Sequence, residues 1–110
     1  MLGISKTTSE RDRLPRALRV GQHEEALELY SLLELREPNN ARWPRRKGDL
    51  LRRMGRTSEA IEAYARAVDS YAAQGFTARS AAMAKVVLSI DPSRTDVLER
   101  ARPYRVRVTP

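Results

Sequence analysis

Apolar residues recur every three to four positions along almost the whole chain, the spacing that puts them on one face of an α-helix. Val and Ile alternate with polar residues only in the last few positions, so the pattern predicts helices throughout. Six segments follow. The first, residues 10–20, opens at Ser9 with Asp12 three residues on, as in a capping box, and stops at Gly21; Pro15 counts against its early turns. The second, 23–36, aligns Ala26, Leu29, Tyr30 and Leu33 on one stripe and is closed by Pro38. Asn39 and Asn40 then offer an N-cap to a third, 41–54, which carries Pro44 in its first turn, where a missing N–H costs little, and ends at Gly55. The fourth, 58–73, bears Ala60, Ile61, Tyr64, Ala67, Val68 and Tyr71 at helical spacing and breaks at Gln74-Gly75. In the fifth, 77–90, Ala78, Ala81, Ala82, Met83, Ala84, Val86, Val87, Leu88 and Ile90 wrap most of the circumference, which predicts burial on more than one side. A sixth begins near Ser93 and is stopped by Pro103. No linker divides the chain, so one helical domain is expected over 9–101, between a disordered 1–8 and a tail at 102–110.

One stretch is stated twice. GQHEEALELY at 21–30 returns thirty-four residues later as GRTSEAIEAY at 55–64, keeping Gly, Ala and Tyr in register. Self-similarity at a period of roughly 20 to 50 residues marks stacked supersecondary units, and 34 is the tetratricopeptide period. Gly21 and Gly55 fall between paired helices, Ala26 and Ala60 where two helices cross closely, and Tyr30 and Tyr64 at the aromatic that fills the next gap. Pro38 and Ala67 occupy two further signature positions, and Gly48 the small position of the preceding helix. On these residues the chain resembles the tetratricopeptide-repeat (TPR) family over about residues 10–100, and a bacterial subgroup of it through GDLLRRMGR, YAAQGFTARSAAMAKVVLSIDP and the opening MLGISK. Gly75 to Pro92 repeats the seventeen-residue interval from Gly21 to Pro38, so the fourth helix closes one unit and opens the next, with Tyr71 at the latter's aromatic position. The resemblance implies an all-α, right-handed α-solenoid of about three helical hairpins. Trp43 lies one place early, Lys47 replaces a usual Leu, and ERARPYRVRVTP stands where a closing amphipathic helix is expected. Terminal repeats need a polar cover.

Composition narrows the chemistry further. The 110 residues include no Cys and a single His, His23, which excludes thiol nucleophiles, disulfides and histidine-based metal clusters. His23, the Glu24-Glu25 pair and the Glu59-Glu62 pair fit solvated helix faces better than acid/base machinery. All glycines but Gly3 and Gly48 fall at helix ends, which leaves none for a phosphate-binding loop. The expectation is a non-enzymatic protein without cofactor or metal. Apolar runs are far short of a membrane span, and MLGISK is too short and polar for a signal-peptide core, so a cytoplasmic location is expected.

Charge gives the partner expectation. The net charge is +7, and nearly all the positive charge is Arg, with Lys only at 6, 47 and 85. The segment RWPRRKGDLLRRMGR at 42–56 concentrates it. In the TPR architecture the first helix of each unit lines the concave groove, which would direct Arg42, Arg45, Asp49, Arg52 and Arg53 into it. Arg captures carboxylates in bidentate fashion, so an acidic peptide or protein is the expected partner of a scaffold or adaptor. The Lys/Asn clamp with which some family members grip a C-terminal carboxylate is missing, since the only Asn residues are Asn39 and Asn40 at a helix boundary. Two alternatives remain at this level: a self-assembling homo-oligomer that covers the apolar fifth helix, and nonspecific nucleic-acid binding, with Trp43 as the one candidate base stacker.

Overall fold

Glycines at 21, 55 and 75 and prolines at 38 and 92 divide the chain, and the computed structural model, which describes residues 6–102, folds between them as helices. These are α1 (Lys6–Arg19), α2 (His23–Arg36), α3 (Arg42–Arg53), α4 (Thr57–Ala73), α5 (Thr77–Ile90) and α6 (Asp96–Arg100). Among the described residues there is no strand. Each helix packs on its neighbour in sequence, most extensively α3 on α4 and α4 on α5, and α6 touches both α4 and α5. The result is elongated, 58 × 33 × 16 Å, with a radius of gyration of 15.7 Å, where a globular domain of this length has about 13 Å.

Three joints are built alike. Gly21, Gly55 and Gly75 have φ of 77°, 79° and 81°, in the left-handed region that a side chain disfavours. At each, the N–H after the glycine reaches back to a carbonyl five residues earlier: Gln22 to Ala17 at 2.8 Å, Arg56 to Leu51 at 2.9 Å and Phe76 to Tyr71 at 2.9 Å. The glycine's own N–H bonds Leu18, Arg52 or Ala72, completing the double cap that satisfies the last carbonyls of the preceding helix. The joints from α2 to α3 and from α5 to α6 also match. Glu37 N–H bonds Leu33 and Asp91 N–H bonds Val87, each just before a proline. The N-cap of α3 is Ala41, not Asn39 or Asn40, and has no side-chain cap; Asn40 Oδ1 instead braces the turn ahead of the helix, accepting from the Arg42 N–H at 3.1 Å.

The core is one continuous cluster from Leu14 and Ala17 to Val97 and Ala101. One close approach within it is between α3 and α4. A Cβ at Gly48 would stand 2.7 Å from Cδ1 and Cε1 of Tyr64, so the glycine is what lets the ring lie flat on α3. The Tyr64 hydroxyl donates to Asp49 Oδ1 at 2.6 Å. Burial first, and then this carboxylate, push the Tyr64 pKa up to about 12. Ala26 and Ala60 are fully buried. Ser80 holds the corresponding place on α5 and donates its hydroxyl to the Val68 carbonyl at 2.9 Å.

Two further expectations are corrected. The first helix begins at Lys6, so Ser9 lies inside it and does not cap it, and Pro15 sits within the helix without ending it. Pro15 faces solvent, while Leu14 and Ala17 are held against the core and Arg36 of α2 pairs with the buried Glu10 at 2.7 Å. Arg11 pairs with Glu37 beside it, and these long-range contacts outweigh the one hydrogen bond that the proline removes. Secondly, α5 is buried on one side only. Ser80, Met83, Ala84 and Val87 face the core, whereas Ala78, Ala81 and Ala82 are exposed, since only α4 and the short α6 pack against this helix. Residues 1–5, which hold most of the segment expected to be disordered, and 103–110, most of the expected tail, lie outside the described residues.

Candidate functional site

The Arg-rich segment forms α3, and helical spacing splits its side chains between two sides. Lys47, Leu50 and Leu51 turn inward or toward α2 and α4, leaving Arg42, Arg45 and Arg46 on the opposite side. There they meet α5. Arg42, Arg45 and Arg46 from α3, Arg79, Ala82 and Met83 from α5, Tyr71 from α4 and Asn40 from the α2–α3 joint line an open groove of ≈ 570 Å³. Met83 is 8% exposed and Tyr71 half-buried, so both lie at the base of the groove beneath a cationic rim.

Aromatic rings hold two of the arginines in place. The Arg42 guanidinium lies 5.1 Å from the centroid of Trp43, and that of Arg79 5.1 Å from Phe76. Phe76 in turn meets Tyr71 edge-on, with centroids 6.4 Å apart. None of Arg42, Arg45, Arg46 and Arg79 forms an ion pair among the described residues, whereas Arg11, Arg13, Arg36, Arg56, Arg66, Arg94 and Arg100 all do. Several guanidiniums on one groove without counter-charges repel one another and set up a positive potential that an anionic ligand relieves.

The other residues of the basic segment have different settings. Asp49 is the acceptor for Tyr64, half-buried between α3 and α4. Arg52 and Arg53 are exposed in the last turn of α3, beyond the groove lining. Trp43 is 3% exposed, donates its Nε1 hydrogen to Glu37 at 3.2 Å and carries Arg11 as well as Arg42 against its ring, so it is committed to packing. Sequence reasoning did not find Arg46, Tyr71 as a groove residue, Met83 or Arg79. The Arg46 signal was present in its spacing from Arg42; that of Arg79 was not, because it comes from a different helix.

No protein-family model matches this chain, and no curated protein matches it.

On the far side of α3 the charge is reversed. Glu24, Glu25 and Glu28 of α2 and Glu59 of α4 line a second cleft, with Lys47 and Arg56 as its cations. Arg56 bridges Glu24 at 2.8 Å and Glu59 at 2.7 Å. Lys47 donates to Ser31 Oγ at 2.7 Å, and burial lowers its pKa, with Arg66 adding to the effect. Ser31 is itself tied to the Leu27 carbonyl at 3.0 Å, the back-bond of a helical serine. Among the described residues no three His, Cys, Asp or Glu side chains are grouped to hold a metal, and no helix is long and apolar enough to cross a membrane.

Proposed function

We propose that this chain is a non-enzymatic protein-interaction module of the tetratricopeptide type, whose groove between α3 and α5 takes an acidic segment of a protein partner. On this reading α1 with α2, α3 with α4, and the end of α4 with α5 are three hairpins of a right-handed solenoid. The three matching glycine joints and the elongated shape support it. The observation that carries the partner assignment is the set of Arg42, Arg45, Arg46 and Arg79 around Tyr71 and Met83, none of the four paired with a carboxylate among the described residues. An acidic peptide with a leucine or aromatic anchor satisfies both halves of that surface: its carboxylates take bidentate bonds and its anchor covers the floor. Trp43, the base stacker the sequence offered, is buried under two guanidiniums and has no face left for a base, which argues against a nucleic-acid ligand.

Fluorescence anisotropy of a labelled peptide alternating Glu and Leu tests this. Arg45→Glu with Arg79→Glu should weaken binding at least about ten-fold, equivalent to about 1.4 kcal/mol. Equal affinity for the variant, with an unchanged helical circular dichroism spectrum, would refute the groove as the binding site.

A further inference from the structure

The molecule carries a surface of the complementary kind. Along α2, Glu24, Glu28, Ser31 and Leu35 recur at intervals of four, three and four residues, which places them on one line of the helix. Leu32 flanks this line. The N-terminal half of the stripe is acidic: the Glu24 side chain is 78% exposed even while Arg56 contacts it, and Glu28 is exposed and without an ion pair among the described residues. The C-terminal half is apolar, with Leu35 79% and Leu32 36% exposed. These leucines adjoin the acids as Tyr71, Ala82 and Met83 adjoin the arginines of the groove.

Stripe and groove share no residue and open on different sides of α3. One copy therefore cannot close its own stripe into its own groove, and either surface stays available while the other is occupied. We infer that the groove's occupant is the α2 stripe of a second copy of this chain, so that copies add head to tail. This rests on the reading of the groove as an acidic-partner site and names that partner. The contact is heterologous: each added copy presents a fresh groove or a fresh stripe, and assembly continues into a ring or a filament instead of stopping at a symmetric dimer. Net charge opposes it, because every copy carries +7. At physiological ionic strength that repulsion is screened beyond about 8 Å, while groups in direct contact are screened far less, so the local complementarity prevails.

The test is molar mass by sedimentation velocity and light scattering, from micromolar to millimolar protein at physiological salt. For the unaltered chain, mass should rise with concentration past that of a dimer and fall back toward monomer in molar salt. A stripe variant, Glu28→Lys with Leu35→Ser, and a groove variant, Arg45→Glu with Arg79→Glu, should each stay monomeric with an unchanged helical spectrum. If charge reversal perturbs folding of the groove variant, Arg45→Gln with Arg79→Gln takes its place. Mixed in equal amounts, the two variants should form a one-to-one complex that grows no further, since one good groove and one good stripe remain. A strict monomer at millimolar concentration, a plateau at dimer, or a single variant that assembles like the unaltered chain overturns the inference. Anisotropy with the Glu/Leu peptide separates the two claims. A monomeric chain that still binds the peptide through Arg45 and Arg79 loses only this occupant, whereas one that binds neither loses the groove reading as well.

Discussion

Gly48→Ala places a methyl group 2.7 Å from Cδ1 and Cε1 of Tyr64 and 3.1 Å from its Cγ, where an ordinary carbon contact needs several tenths of an ångström more. The ring has little room to retreat: Tyr64 is 2% exposed, and its hydroxyl is tied to Asp49 at 2.6 Å on the same helix as the glycine. Two effects of opposite sign compete. Exchanging Gly for Ala inside a helix favours the folded state by about 1 kcal/mol through backbone entropy. Overpacking a closed contact costs about 1–3 kcal/mol, and weakening the Tyr64–Asp49 bond adds about 1 kcal/mol. The net expectation is a loss of about 1–3 kcal/mol, or a melting temperature lower by roughly 4–24 °C for a domain this size. Urea titration followed by circular dichroism measures it. The sign should reverse in a Tyr64→Leu background, where the ring edge is gone and only the helix preference of Ala is left. If Gly48→Ala stabilises the chain that retains Tyr64, the close α3–α4 crossing does not limit this position and the reasoning fails.

Two further outcomes follow from the same packing. Burial holds the Tyr64 hydroxyl protonated up to about pH 12, whereas in the unfolded chain it ionises near the ordinary value of about 10. Its contribution is therefore intact below pH 10 and is lost as pH rises from about 10 to 12, by about 3 kcal/mol at the top of that window. Urea midpoints across that range should fall less steeply for Tyr64→Phe, and equal slopes would remove the tyrosine as the cause. Gly55→Ala meets no neighbouring atom within 4 Å, so its cost is that of a side chain at φ 79°, about 1–2 kcal/mol. Gly55→Asn should lose less, and thermal melts ranking Ala at or above Asn would contradict the left-handed joint.

What the sequence determined by itself was everything written in a few adjacent residues. Gly21, Gly55 and Gly75 stand between runs of helical periodicity, and Pro38 and Pro92 just after two others; hence α2 and α5 start and stop where the pattern puts them, and the three glycine joints are built alike. The repeated Ala and Tyr positions likewise read as core: Ala26, Ala60, Tyr30 and Tyr64 are all buried. Tertiary structure decided what depends on neighbours distant in the chain. Pro15 is carried inside α1 because Glu10, Leu14 and Ala17 are anchored by α2. The alanines of α5 are exposed because too few helices surround them, a property of its neighbours and not of its own residues. Above all, the side chains of the groove were separable only in three dimensions. Along the chain every Arg carries the same charge; in the fold, several are paired with carboxylates of another helix, and Arg42, Arg45, Arg46 and Arg79 are brought together with no such pair among the described residues.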